Sequence, residues 1–111
     1  EDIRQGWTVR MQELGEYSER HNRQILFTEL GYNQSYQAPI EPWAYEVDGE
    51  EAQPIQAYCM RTALAAIAAE PRVVGALLWK WFPHPRPVGR NFQLATPPIK
   101  QIISEAWLSP R

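Results

Sequence analysis

Gln-Ile-Leu-Phe-Thr-Glu-Leu, residues 24–30, is the stretch that decides the fold, and Gly31 follows it directly. A second apolar run, Val-Val-Gly-Ala-Leu-Leu-Trp-Lys-Trp-Phe, occupies residues 73–82. Short, continuously apolar runs are typical of strands that are buried on both faces of a parallel sheet. We therefore predict two parallel strands, one at residues 24–30 and one at residues 73–82.

Three amphipathic helices are predicted around these strands. The first spans residues 2–20, the second opens at Gln53 and ends at Pro71, and the third starts near a good N-cap, Thr96. Apolar side chains recur every three or four residues, so they share one face of each helix. In the first helix this face comprises Ile3, Trp7, Met11, Leu14 and Tyr17. A helix between two parallel strands makes a right-handed βαβ unit.

Two parallel strands that are buried on both faces do not complete a sheet. Further strands must come from outside this segment, so we predict that the chain is part of a larger α/β domain. The chain also begins at Glu1, directly at the start of the first predicted helix and without an initiator Met, which is expected of a processed protein or a piece of a longer one.

The composition excludes several classes of protein. The 111 residues are 44% hydrophobic and 22% charged, as in an ordinary globular domain, and the net charge of −2 offers no basic surface for nucleic acid. No apolar run reaches the roughly 18 residues of a membrane span. The single cysteine, Cys59, excludes an internal disulfide, and no Cys/His pair has zinc-ligand spacing. We predict no nucleic-acid partner, no membrane association, no metal site and no cofactor.

Glu29 is a carboxylate near the carboxyl end of an otherwise apolar strand. In parallel α/β barrels the catalytic groups lie at this end of the strands, and Glu29 is therefore a candidate catalytic residue. The alternative is an ion pair with an arginine of a neighbouring strand. Strict alternation along the strand would place Glu29 on the same side as Ile25 and Phe27.

Aromatic residues accompany this carboxylate. Trp79 and Trp81 end the second apolar run, while Tyr32 and Trp43 lie in a loop at residues 31–53 whose length is typical of functional loops. Aromatic rings offer a flat apolar surface that matches the C–H face of a sugar ring. Core packing is the alternative for large aromatic side chains.

Three segments together resemble a known family. They are Ile25-Leu26-Phe27-Thr28-Glu29-Leu30-Gly31-Tyr32, then Pro42-Trp43, then Gly75-Ala76-Leu77-Leu78-Trp79-Lys80-Trp81. This chain is similar to the last part of a glycoside hydrolase family 113 enzyme, a β-mannanase-like member of the retaining clan A. The resemblance implies that residues 1–111 are the C-terminal portion of a single (β/α)8 TIM barrel, an α/β fold. They would cover helix six, strand seven, helix seven, strand eight and helix eight.

The resemblance also implies an activity and roles for the site residues. It implies a retaining glycosidase that acts on β-mannan or a related β-linked polysaccharide or oligosaccharide, with Glu29 as the nucleophile. Trp79 would form the floor of the sugar subsite and precede a cis peptide bond. Trp81 and Trp43 would extend the substrate-binding surface, and Tyr32 would help orient the site.

The family's acid/base lies on strand four, which this segment lacks. The chain alone is therefore expected to be inactive, and the N-terminal part of the same barrel is its expected partner. An extracellular or periplasmic location is favoured if the glycanase interpretation holds. Two other hypotheses stay open: a non-catalytic glycan-binding or scaffold barrel, and a small α/β interaction protein that oligomerises to complete its sheet.

Overall fold

The computed structural model describes residues 2–44, 52–84 and 92–108. The elements in chain order are helix α1 (Ile3–His21), strand β1 (Ile25–Leu30), helix α2 (Gln53–Ala69), strand β2 (Val73–Leu78) and helix α3 (Pro97–Trp107). The two strands pair in parallel, so the described residues form a small α/β unit with a βαβ connection. The predicted order of elements and the parallel pairing are confirmed.

Local sequence signals set the ends of the helices. The Asp2 carboxylate caps α1 by accepting a hydrogen bond from the Arg4 backbone N–H at 3.0 Å. Asn22 ends that helix in the left-handed conformation, with φ of 49°. Helix α3 follows Thr96 as its N-cap and begins with Pro97 and Pro98, which lack the N–H groups that a first turn leaves unbonded.

Strand β2 is shorter than the predicted strand at residues 73–82, because it ends at Leu78. The reason is a change of hydrogen-bond partner. Beyond Leu78, the Lys80 N–H donates to the Phe92 carbonyl at 3.0 Å, and the Leu94 N–H donates to the Lys80 carbonyl at 3.2 Å. The chain thus leaves β1 for the segment that precedes α3, and Trp79 and Trp81 lie beyond the strand.

The prediction that both faces of the strands are buried is wrong for the described residues. Ile25, Phe27, Ala76 and Leu78 pack against the core formed with the helices. The opposite face carries Leu26 and Leu77, whose side chains are 50% and 58% exposed. Helices pack on only one face of this two-stranded sheet, whereas the apolar sequence of the strands is suited to burial of both faces.

Helix α2 packs against both α1 and α3 and supplies much of the core. Cys59, Met60, Ala63 and Leu64 are 0–1% exposed. Among the apolar residues predicted for α1, Tyr17 is an exception, because it is 52% exposed and lies against the His21 ring. Gly15 and Ser18 occupy the buried positions instead, since they continue the spacing that starts at Met11.

Within the described residues, no helix combines the length and the apolarity that crossing a membrane requires.

Replacing Leu64 by alanine tests the central role of α2. Leu64 is 1% exposed, so Leu64→Ala leaves a cavity and is expected to lower the free energy of unfolding by about 2–5 kcal/mol. Urea denaturation measures this loss. Leu108→Ala removes the same atoms from a side chain that is 79% exposed and should change stability by less than about 0.5 kcal/mol. Equal effects of the two changes would contradict the assigned core.

Candidate active site

A pocket of about 270 Å³ lies at the carboxyl ends of the two strands. Its lining residues come from the end of β1, the loop that follows it, and the segments beyond β2. They are Glu29, Gly31, Pro42, Trp43, Trp79 and Phe92. Three of the residues predicted from the sequence, Glu29, Trp43 and Trp79, therefore meet in one pocket.

Glu29 reaches this pocket because β1 is irregular near its end. The register shifts between Phe27 and Leu30, and Leu30 joins Phe27 on the core side. Strict alternation would have placed Glu29 on the side of Ile25 and Phe27, and that prediction is wrong. Glu29 is instead exposed, so its carboxylate needs no buried partner and is available to a ligand.

Trp79 is fixed at the other side of the pocket by its own backbone. Its N–H donates to the Leu30 carbonyl at 2.8 Å, which extends the strand pairing by one residue. Its peptide bond to Lys80 is cis, as the resemblance implied. The indole is 40% exposed, and the Lys80 ammonium Nζ lies 5.0 Å from the ring centroid, within range of a cation–π contact.

Gly31 allows the two strand ends to approach closely. A Cβ atom built on Gly31 would overlap the carbonyl oxygen of Trp79, a backbone atom that has no rotamer in which to move away. Any side chain at this position would therefore push the Trp79 backbone away from β1. Glycine here is a requirement of the pocket, because Glu29 and Trp79 flank this contact.

Asn33 holds the part of the loop that carries Trp43. Its side-chain amide Nδ2 donates to the carbonyls of Glu41 at 2.8 Å and Ala44 at 3.1 Å, on either side of the Pro42-Trp43 pair. Asn33 is fully buried, whereas Trp43 is 67% exposed. A buried amide thus braces a loop that presents a large aromatic ring to solvent.

Tyr32 and Trp81, two further predicted substrate-binding residues, do not line this pocket. Tyr32 is 7% exposed, and its hydroxyl accepts a hydrogen bond from the Trp7 indole N–H at 3.1 Å. Burial raises the pKa of Tyr32 to about 12, although the bond from Trp7 acts in the opposite direction. Trp81 is 44% exposed.

Cys59 and His84 do not line this pocket. Cys59 is buried, and burial raises the pKa of its thiol to about 11, so it lacks the thiolate character of a nucleophile. His84 is exposed in the loop after Trp81. Tyr45 and the loop acids at positions 46, 48, 50 and 51 lie outside the described residues. Within the described ranges, no group of three or more acidic, histidine or cysteine side chains could hold a metal ion.

Sequence reasoning missed Gly31, Phe92 and Asn33 as residues that build the site. Gly31 directly follows a strand that ends in a candidate carboxylate, which is a usable signal for close backbone approach. Asn33 braces the loop through the backbone carbonyls of Glu41 and Ala44, and Phe92 reaches the pocket through its pairing with Lys80. Neither contact has a sequence signal.

A carboxylate and exposed indole rings at the carboxyl ends of parallel strands are the combination of residues that is expected of a glycoside hydrolase. The sequence profile of Glycoside Hydrolase Family 113 matches residues 2–89, and the chain belongs to this family. The match includes both strands and all the site residues named from the sequence. Comparisons with curated proteins and with solved structures found no match.

Substituting Gly31 tests the close approach of the two strand ends. Gly31→Ala places a methyl group on the Trp79 carbonyl and is expected to lower the free energy of unfolding by about 3 kcal/mol or more. Gly6→Ala is the matched control, because a Cβ at Gly6 has no neighbour within 4 Å and alanine favours a helix. Urea denaturation of both variants makes the comparison. A neutral Gly31→Ala variant would contradict the contact.

Proposed function

We propose that this chain is the C-terminal portion of a (β/α)8 barrel that hydrolyses β-mannan or a related β-linked glycan with retention of configuration. The observation that carries the proposal is the shared pocket of Glu29, Trp79 and Trp43 in a member of family 113. The exposed apolar face of the sheet, with Leu26 and Leu77, supports a barrel in which further strands cover that face.

Glu29 acts as the nucleophile in this proposal. Its carboxylate oxygen forms a bond to the anomeric carbon while the bond from that carbon to the leaving oxygen breaks, and a second carboxyl group gives the leaving oxygen its proton. Water then attacks the same carbon, the second group takes the proton of that water, and the Glu29 carboxylate is released. The pocket's described lining contains no other acid, so the barrel's remaining strands are proposed to supply the second carboxyl group.

Trp79 is proposed to form the floor of the subsite for the sugar under attack. The exposed part of its indole offers an apolar surface beside Glu29, and Trp43 offers a second, more exposed ring across the pocket. Trp81 is proposed to extend this surface beyond the pocket. Tyr32 is proposed to help orient the site from within the core, because its hydroxyl is held by Trp7.

Replacing Glu29 tests the nucleophile in the complete protein that carries this chain. Glu29→Gln should lower kcat by about 10³-fold or more while glycan binding stays largely intact, because the amide does not form the glycosyl ester. Glu29→Ala should regain turnover of a dinitrophenyl β-mannoside in the presence of azide, with an α-glycosyl azide as product. Rates and product configuration, read by NMR, make the measurement.

A matched control and a contradicting outcome accompany this test. Glu16→Gln changes an exposed glutamate of α1 in the same way and should leave kcat unchanged. Unchanged turnover in Glu29→Gln would contradict the nucleophile assignment. A complete wild-type protein that binds mannan oligosaccharides without cleaving them would favour the non-catalytic glycan-binding barrel. A discrete homo-oligomer without glycan affinity would favour the interaction protein.

Removing the indole of Trp79 tests the sugar subsite. Trp79→Ala should weaken oligosaccharide binding by roughly 1–3 kcal/mol, because a stacked ring face is lost. Isothermal titration calorimetry on the complete protein measures this change. Trp107→Ala is a suitable control, since Trp107 is similarly exposed, at 41%, and lies at the end of α3. If Trp79→Ala unfolds the protein and the folded fraction binds the oligosaccharide as tightly as wild type, this indole is a packing residue.

A further inference from the structure

Gln56 is a polar residue in the middle of an apolar surface. It lies on α2 at the spacing that places it beside Cys59, Met60 and Ala63, and only 1% of it is exposed. A buried primary amide destabilises a core unless its polar atoms are hydrogen bonded. An apolar residue of the same length would avoid that requirement, so the partners of Gln56 indicate what the amide is for.

The Gln56 amide nitrogen Nε2 bonds to two segments that are distant from each other in the sequence. It donates to the Tyr32 carbonyl at 2.9 Å and to the Gln93 carbonyl at 3.2 Å. A primary amide carries two N–H groups, so one nitrogen serves both carbonyls at once. The Gln93 carbonyl also accepts a bond from the Gln34 side chain at 3.3 Å.

Each carbonyl belongs to the residue that follows a pocket-lining residue, since Tyr32 follows Gly31 and Gln93 follows Phe92. Gly31 is on the side of the pocket that carries Glu29. Gln93 lies between Phe92 and Leu94, whose backbone groups both pair with Lys80, the residue after Trp79. We call residues 29–32 the Glu29 wall, and residues 79–80 with their paired residues 92–94 the Trp79 wall. One side chain of α2, Gln56, therefore bonds to both walls without itself lining the pocket.

We propose that Gln56 is a positioning residue, which holds the Glu29 wall and the Trp79 wall at the spacing that attack on the anomeric carbon requires. This inference rests on the proposed function. Glu29 and Trp79 keep their own strand contacts when the amide is removed, so the sugar still binds on Trp79. The distance from the carboxylate oxygen to the anomeric carbon becomes less well defined, and rates fall steeply when a reacting group is misplaced by about 1 Å.

The experiment measures kcat and KM of Gln56→Met in the complete protein, with an aryl β-mannoside and with a mannan oligosaccharide. Methionine keeps the length and fills the apolar site but donates no hydrogen bond. We expect kcat to fall by about 10- to 100-fold per active site, with KM within about twofold of wild type. Active sites are counted by the burst of aryl alcohol or by covalent trapping with a 2-fluoro glycoside. The measured kcat is then divided by the concentration of active sites, so unfolded protein does not lower it.

Thr62→Val is the matched control on the same helix. Thr62 is also buried, but its hydroxyl bonds to the Tyr58 carbonyl within α2, so its loss affects stability without touching either wall. We expect Thr62→Val to retain the wild-type kcat per active site. A merely structural Gln56 would behave in the same way, and wild-type kcat per active site in Gln56→Met would overturn the proposal.

A second variant covers the case in which Gln56→Met does not fold. Gln56→Asn keeps the amide but shortens the side chain by one carbon, so it no longer reaches both carbonyls, and the same loss of kcat is expected. If both variants lose their near-UV circular dichroism, Gln56 is a requirement of the fold and the positioning role is overturned. The proposed function fails separately, if wild-type protein lacks turnover or if Glu29→Gln retains it.

Discussion

The rest of the structure depends on the contact between the ends of the two strands. Trp79 donates its backbone N–H to the Leu30 carbonyl, and Gly31 leaves no space between itself and the Trp79 carbonyl. This contact continues the parallel pairing past β2 and brings the two strand ends to one edge of the sheet. Glu29 and Trp79 flank it, so a backbone constraint decides which carboxylate and which indole share a pocket.

Two different kinds of interaction, apolar packing and hydrogen bonds from buried amides, stabilise the structure around that edge. Within the strands, apolar side chains on one face of the sheet pack on the helices, and this packing is non-directional and tolerant of small displacements. In the loop that follows β1, buried amides such as Asn33 bond to backbone carbonyls at defined distances. Directional bonds fix loop geometry in a way that apolar contacts do not, which explains why buried polar side chains concentrate in the loop that follows β1.

Periodicity predicted the helices and strands because their apolar faces are long enough to be read from one sequence. It failed where one tertiary contact outweighs local pattern. Alternation assigned Glu29 to the side of Ile25 and Phe27, yet the irregular register between Phe27 and Leu30 brings Leu30 to that side instead. Strand β2 was predicted to continue to residue 82, but Lys80 pairs with Phe92 and Leu94, which the sequence does not place beside it. The candidate carboxylate, Glu29, and the candidate indole, Trp79, were identified from residue type and position in the sequence. The sequence did not predict how their side chains are placed.

A polar residue on an otherwise apolar helix face also indicates how the chain is arranged. Gln56 falls at a position where the helical spacing of α2 predicts an apolar side chain, and a break of this kind is visible in the sequence before any partner is known. What the sequence does not contain is the identity of the partners, because backbone carbonyls have no residue type. A buried amide at an apolar position therefore indicates that two backbone segments require a fixed spacing. In this chain one segment directly follows Gly31 and the other directly follows Phe92, and both of these residues line the pocket that contains Glu29 and Trp79.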